Sequence, residues 1–491
     1  MKKVLFVPLL FCGLFFFSCV QTVETVVKQL TVNTFEDSGT KVTESEYFKN
    51  GKKTSDWLLI MYMDADDIKL ESSIRNDFNE VEYGLSLIRN ADGSAKTGFD
   101  SVRVVVLWDG LQVNDSRVFE LGADELNPLP GSNTVNISNV TNYFTELNSK
   151  EVNMSNKDTL THFISWVDAH YTSEKGKILH VADHGSGPGN FTRAMCLDSS
   201  SGTAWMSSSE FSNALFNAGY GYMKNKFSAL LLDVCLGASI EDAYEFRNSA
   251  EYMIASPNST PGPGFYYVDV MQCFKSGLSV QELSVEIGKT FAVNYRNTYT
   301  GTTVPTISVI DLSKVSDCAV EIDSLASMLK NKVIKDKNNK SYYIYPQFLK
   351  PISSNVYYEG SVNYLYDLGY FAFKVQNYDL DDLKELDYPD VISVRESLED
   401  IKEQAAAVSE SLEKAIVYSW RKGIFSYGLT SPNTSFGYND EDKSGCGITI
   451  CGGFSNDTKG IPSWYKTDLQ FGAKSDELNG CWAELMETWF K

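Results

Sequence analysis

Apolar positions along the chain fall into two spacings. "WLLIMYMDAD" (57–66) and "SVRVVVLWD" (101–109) are nearly continuous apolar runs of strand length, each closed by an acid. "TLTHFISWVDAHY" (159–171) instead places its apolar residues three and four apart, as one face of a helix does. "KILHVADHG" (177–185) returns to the strand pattern, "SSSEFSNALFNAG" (207–219) reads as a helix opened by serines, and "FSALLLDVC" (227–235) as a further strand. "YMIASPNSTPGPG" (252–264) is a strand running into a Pro/Gly loop. Such alternation, with strands apolar on both faces, predicts a parallel sheet covered by helices on either side. Past residue 300 the pattern loosens. "VPTISVIDLSKV" (304–315) predicts a strand leading into a helix, and "SVRESLEDIKEQAAAVSESLEKAIVYSW" (393–420) one long amphipathic helix. The C-terminal part either stands as a separate unit or completes the same sheet.

At 491 residues the chain can bury one large core or two ordinary ones. An apolar content of 43% with 13% aromatics excludes a disordered chain. A net charge of −21 argues against nucleic acid as a partner. At the start, Lys2 and Lys3 precede "VLFVPLLFCGLFFF" and then Ser18-Cys19. A positive end, a short apolar run and a small residue make a secretory signal, and the run is short against the ~20 residues of a membrane span. Cleavage before Cys19 resembles bacterial lipoprotein processing, with Cys19 lipidated; the alternative is an ordinary cleaved signal. Either reading exports the protein to the cell envelope, periplasmic or surface. Residues 1–19 are read as the signal and 20–55 as a tether. Of nine cysteines, Cys12 and Cys19 belong to this leader. The odd remainder predicts at least one free thiol and up to three disulfides.

Ligands of open α/β sheets gather at the C-terminal ends of the strands. Two predicted strands end there in reactive groups: His184 after "KILHVAD" and Cys235 after "ALLLDV". A thiolate is an acyl-transfer nucleophile, and an imidazole beside it takes the thiol proton and later protonates the leaving amine. The glycines of "HGSGPG" let a carbonyl approach, and the amides of Gly185 and Cys235 are the candidate oxyanion hole. The chain has four histidines. His162 and His170 fall on the predicted helix and His180 within a strand, where packing roles are expected. Asp233, two residues before Cys235 in an alternating strand, is expected to point the same way as the thiol. Cys235 follows His184 by about 50 positions, and "CLG" repeats a Cys-x-Gly order, both as in caspases.

These motifs together resemble the clostripain family of cysteine peptidases, relatives of caspases and gingipains. "WLLIMYMDADDIKLE", "RNDFNEVE", "VRVVVLWDG", "VNMSNKDTLTHFISWV", "HVADHGSG", "LLLDVCLGASIEDAYEFRNSAEYMIAS" and the ending "DLQFGAKSDELNGCWAELMETWF" follow one another as in that family, over about residues 56 to 491. The resemblance implies a caspase-like three-layer α/β sandwich with a mostly parallel central sheet and helices on both faces, plus a C-terminal α+β extension. It places the catalytic domain at 56–300 and the C-terminal region at 301–491. It implies Cys235 as nucleophile and His184 as general base and acid, with Asp183 or a backbone carbonyl orienting the imidazole. Asp233 becomes the floor of an S1 pocket for Arg or Lys, its other reading being an acid capping the sheet end. The family's further acids after "AS" are replaced here by Pro257-Asn258-Ser259-Thr260, which weakens the case for Arg. Family members are often zymogens, and Arg193–Ala194 is the candidate processing bond.

The expected protein is thus an exported, lipid-anchored cysteine endopeptidase, monomeric, acting on proteins or peptides and preferring a basic P1. The alternative is an inactive surface lipoprotein that binds them. No cofactor is required on this reading, although some family members use calcium. "DADD" (64–67) and "DEDKSG" (440–445) place carboxylates at alternate positions, but both read as solvated acidic turns. "CGITIC" lacks a zinc spacing, so no metal site is assigned.

Overall fold

The computed structural model describes residues 35–190, 193–202, 204–298, 304–330, 333–335, 341–343, 365–377, 391–421, 434–435, 447–452 and 463–489. Twelve strands are labelled in chain order. β1 (Thr40–Thr43), β2 (Lys53–Asp64), β3 (Val102–Asp109), β4 (Arg117–Glu120) and β5 (Val135–Ser138) are followed by β6 (Tyr171–Ala182). Then come β7 (Gly185–Asn190), β8 (Arg193–Asp198), β9 (Ala204–Met206), β10 (Phe227–Asp233), β11 (Ala250–Ala255) and β12 (Thr306–Asp311). One 11-stranded sheet runs β1-β5-β4-β3-β2-β6-β10-β11-β12 and continues into strands Ile416–Arg421 and Thr434–Ser435. Its centre, β3-β2-β6-β10-β11, is parallel throughout, and β12 and Ile416–Arg421 join antiparallel.

The central strands are buried on both faces because alternate residues enter two different cores. From β2, Leu58, Ile60 and Tyr62 pack on one side, and Trp57, Leu59, Met61 and Met63 on the other. In β10, Leu230 and Leu232 share the first side and Ala229 and Leu231 the second. Helices α1 (Glu71–Ile88) and Val280–Thr298 cover the second core. Helices α2 (Lys157–His170), α3 (Ser208–Asn217), α4 (Ile240–Phe246), Val315–Lys330 and Val391–Ala415 cover the first. Burying both faces at ~25 cal/mol per Å² of apolar surface is the dominant stabilising term. Ser207 accepts the Glu210 N–H in a capping box, so the serine cluster marks where α3 begins.

Two expectations are corrected. Residues 35–55 are part of the fold rather than tether: Phe35 is fully buried, 4.6 Å from the Trp108 ring, and β1 pairs with β5. An aromatic that fills a core gap and a short strand that completes a sheet edge cannot be told from a linker by periodicity. Residues 20–34, like the signal and Cys19, lie outside the described residues. The helix expected over 393–420 stops at Ala415, and Ile416–Arg421 pairs with β12. "IVYSWR" is β-branched and aromatic, and an open edge was available to it. The C-terminal region therefore shares the sheet of the N-terminal one.

Candidate active site

The chain switches sides of the sheet between β2, followed by β3 on one flank, and β6 on the other. There a cleft opens at the strand ends, and His184, Cys235, Asp77 and Asp233 are among the residues that line it. His184 follows the end of β6 and directly precedes β7, and its side chain is 29% exposed. Its Nε2 lies 3.3 Å from Asp67 Oδ1. Asp183 is not the carboxylate on the imidazole; its Oδ2 accepts the Leu197 N–H instead. Asp67 comes from the "DADD" turn, which is not a solvated one: Asp64 and Asp66 are 0% and 1% exposed.

β10 ends at Asp233, so the strand alternation invoked for Cys235 does not reach it. Asp233 keeps the parity of Ala229 and Leu231, whereas Cys235 packs beside the opposite core. Both still line the cleft, and just beyond Cys235 the backbone turns at Leu236, whose φ is 61°. A bulky residue in the left-handed region is unfavourable and is held here by the Leu236 N–H, which donates to Asn258 O at 2.9 Å. Gly185 touches the nucleophile's backbone: a Cβ there would sit 2.1 Å from the Cys235 carbonyl oxygen. The half-buried Cys235 Sγ accepts the Thr260 N–H at 3.3 Å. Burial pushes the thiol above its ordinary pKa, opposed by that N–H.

Asp233 Oδ2 accepts the Phe265 N–H at 3.0 Å and the Tyr267 O–H at 2.8 Å. Gly264 (φ 59°) lets the Pro/Gly loop wrap it, since a Cβ there would meet the carboxylate at 2.3 Å. Burial raises its pKa to about 6 against these two hydrogen bonds. Asp77, 4% exposed on α1, faces the same cleft and has no hydrogen-bond partner among the described residues. Burial, with the charges of Asp233 and Glu80, pushes it well above the carboxylate range. Sequence reasoning missed Asp77. In "RNDFNEVE" it looks like any polar residue of a helix, and its only signal was the unusual number of acids in one apolar-striped segment. Leu70, Ile74, Pro261 and Gly262 complete an apolar-walled slot. Asn258 stands in the segment where further acids were sought, its amide donating to Val304 O.

The other histidines are structural. His180 Nε2 lies 2.5 Å from Tyr267 Oη, fully buried, and burial lowers its pKa to about 3. His162 meets Glu146 at 2.5 Å and His170 meets Glu44 at 3.2 Å. Cys196, Cys235, Cys273, Cys318, Cys451 and Cys481 are all free thiols, and only Cys235 among them is not buried. Arg193 and Ala194 begin β8, the second strand of the hairpin that starts at Gly185. The acidic segment 440–445 lies outside the described residues.

A thiol and an imidazole at adjacent strand ends of a caspase-like α/β sheet define the class of cysteine-dependent hydrolases. The family model described as the clostripain family matches residues 61–489, and this chain belongs to that family of cysteine peptidases. No curated protein sequence matches it. Three similar solved structures share the fold. A secreted C11 cysteine protease from Bacteroides thetaiotaomicron, in complex with an irreversible peptide inhibitor, is 17% identical with a TM-score of 0.54, over 85% of this chain and 98% of that one. An inactive zymogen C11 protease from Parabacteroides distasonis is 19% identical with a TM-score of 0.54, over 86% and 98%. The secreted "iotapain" of Bacteroides thetaiotaomicron is 14% identical with a TM-score of 0.52, over 88% and 99%.

Proposed function

We propose that this cysteine peptidase cleaves after basic residues, with Cys235 as nucleophile and His184 as base and then acid. The observation that carries the reading is the cleft itself, which thiol and imidazole share with two buried carboxylates and, among the described residues, no Lys or Arg. Because burial disfavours a resting thiolate, the proton passes to His184 as sulfur attacks the scissile carbonyl. The C–N bond then breaks, imidazolium protonates the leaving amine, and a thioester remains. Water, deprotonated by the same imidazole, releases the acid and restores the thiol. Asp67 orients the ring, and the amides of Gly185 and Cys235 receive the oxyanion.

Asp233 and Asp77 hold the P1 guanidinium or ammonium, its aliphatic stem lying along Leu70 and Ile74. The second carboxylate thus comes from α1 rather than from the Pro257–Thr260 segment. The chain is exported, as the two similar proteases of Bacteroides thetaiotaomicron described as secreted are, and anchored through Cys19. It is made as a zymogen cut at Arg193–Ala194, in the hairpin that follows His184.

The test is turnover of fluorogenic peptides differing only at P1, using protein without residues 1–19, beside Cys235→Ala and His184→Ala. Cleavage after Arg or Lys, lost in both variants, is expected. Equal cleavage at neutral P1 residues overturns the specificity, and activity surviving Cys235→Ala overturns the mechanism. Intact mass of the active protein checks the break at Arg193.

A further inference from the structure

Asp233 is the cleft end of a hydrogen-bonded chain of three side chains. The second is Tyr267, which opens the short helix Tyr267–Met271, and the third is His180 in the middle of β6. Both are fully buried, and neither is among the residues that line the cleft. The Tyr267 main-chain N–H donates to Glu80 Oε2 of α1 at 2.9 Å. Gly84 of α1 lets the short helix close against it, since a Cβ there would sit 2.7 Å from Met271 Cβ. The tyrosine is thus fixed to the helix that carries Asp77. Its hydroxyl donates to Asp233 Oδ2 at 2.8 Å and lies 2.5 Å from His180 Nε2, the two rings meeting edge to face at 5.2 Å.

The chain has one direction while Asp233 is ionised. A phenol has a single proton, and here it is committed to the carboxylate, so the proton between Tyr267 and His180 belongs to Nε2. Burial keeps that imidazole neutral, which leaves Nδ1 without a proton; it is fully buried and has no hydrogen-bond partner among the described residues. Donors in series polarise one another, and bonds donated to a carboxylate favour its charged form. Both donors to Asp233, the Phe265 N–H and the Tyr267 O–H, fall on Oδ2. Oδ1 accepts none among the described residues and is left for a ligand of the cleft.

We propose that Tyr267 sets charge selectivity at P1 without touching the substrate: with His180 fixing its hydroxyl, it holds Asp233 as a carboxylate turned so that Oδ1 meets the P1 cation. Tyr267 is then a positioning residue that acts only through Asp233, and His180 one that acts only through Tyr267. The inference rests on the basic-P1 reading above and adds the residues on which that selectivity depends.

The test compares wild type with Tyr267→Phe, His180→Leu, Asp233→Asn and the double variant Tyr267→Phe/Asp233→Asn, on peptides that differ only in Arg, Lys or norleucine at P1. Alkylation of Cys235 by iodoacetamide reports the nucleophile independently of P1. Tyr267→Phe keeps the ring and should raise KM for Arg and Lys about 10-fold or more, with kcat within about twofold. Norleucine turnover and the alkylation rate should not move. His180→Leu should act in the same direction, about 3-fold, and it reads the same selectivity from the far end of the chain if Tyr267→Phe does not fold. The double variant should be no worse than Asp233→Asn alone. In Tyr267→Phe the rise of KM for basic substrates on acidification should begin at higher pH, because the carboxylate has lost a donor. A loss shared equally by basic and norleucine substrates overturns the proposal, as does a Tyr267→Phe loss that adds in full to that of Asp233→Asn. A preference for Arg and Lys kept by wild type and by both single variants, Tyr267→Phe and His180→Leu, removes this inference alone. A wild type without that preference removes the basic-P1 reading and this inference with it.

Discussion

Two acidic regions stand at the same edge of one sheet and solve different problems. Around Asp233 the carboxylates are two, one held by the Phe265 N–H and the Tyr267 O–H and the other, Asp77, without a hydrogen-bond partner among the described residues. They line a cleft that Leu70, Ile74 and Pro261 also wall. Around Asp109 the carboxylates form two triads that share Asp109, the oxygens of each within 4.8 Å of one another, and backbone N–H groups donate to both oxygens of Asp115 and of Asp198. Each charge deficit is matched to the space that surrounds it. The first group lines a slot with apolar walls; the second is a cluster of carboxylates close enough to repel one another. Counting acids does not separate the two, whereas what fills the volume between them does.

The comparison breaks most readily at Asp233. Asp233→Asn should lower kcat/KM for Arg and Lys P1 substrates by at least about 30-fold, since removing one partner of a buried charge pair costs about 2–5 kcal/mol. Neutral P1 substrates should change little. A uniform loss across P1 residues would instead mark Asp233 as structural.

Asp77→Asn should act in the same direction but less, about 10-fold. It should also raise Tm, because a buried carboxylate without a donor becomes a neutral amide. A fall in Tm would show that Asp77 is satisfied in the free protein. Gly264→Ala forces a Cβ onto the Asp233 carboxylate at a φ of 59°. It should destabilise by about 1–3 kcal/mol and raise KM for basic P1 alone; denaturant unfolding and P1-resolved kinetics read the two parts.

The smallest expected effect is with pH. Burial puts Asp233 at about 6, and only its ionised form attracts a cation. KM for basic P1 substrates should therefore rise as pH falls below about 6, while neutral P1 substrates stay flat. The dependence should diminish in Asp233→Asn. For stability the sign is opposite: a carboxyl raised above its unfolded value near 3.9 contributes fully below that value. The contribution is lost as pH rises through about 6. Urea midpoints of wild type and Asp233→Asn between pH 4 and 7 should converge or diverge accordingly.

Much of the fold was legible because apolar runs and helical stripes record burial locally. The strands at 57–66, 101–109 and 227–235 were placed from composition, and the N-terminus of α3 from its serines. Ile416–Arg421 was not, because an apolar stretch continuing a helix and a strand completing a distant edge read alike. His184 and Cys235 stood out as rare reactive residues at strand ends. Asp67 and Asp77 did not, since a carboxylate in a turn or on a helix is ordinarily solvated, and only packing shows otherwise.

From the sequence alone came the alternating α/β order, the two reactive residues and the acid two positions before the cysteine, all properties of short segments. Tertiary structure decided which carboxylates share a volume, and it placed Cys235 at the cleft beyond the end of its strand, next to a left-handed Leu236, rather than by strand alternation. It also divided the acids between a slot and a cluster. The physical reason is range: hydrophobic periodicity acts along a few turns of chain, whereas desolvation and charge repulsion depend on neighbours brought together from residues as distant as Asp66, Asp109 and Asp198.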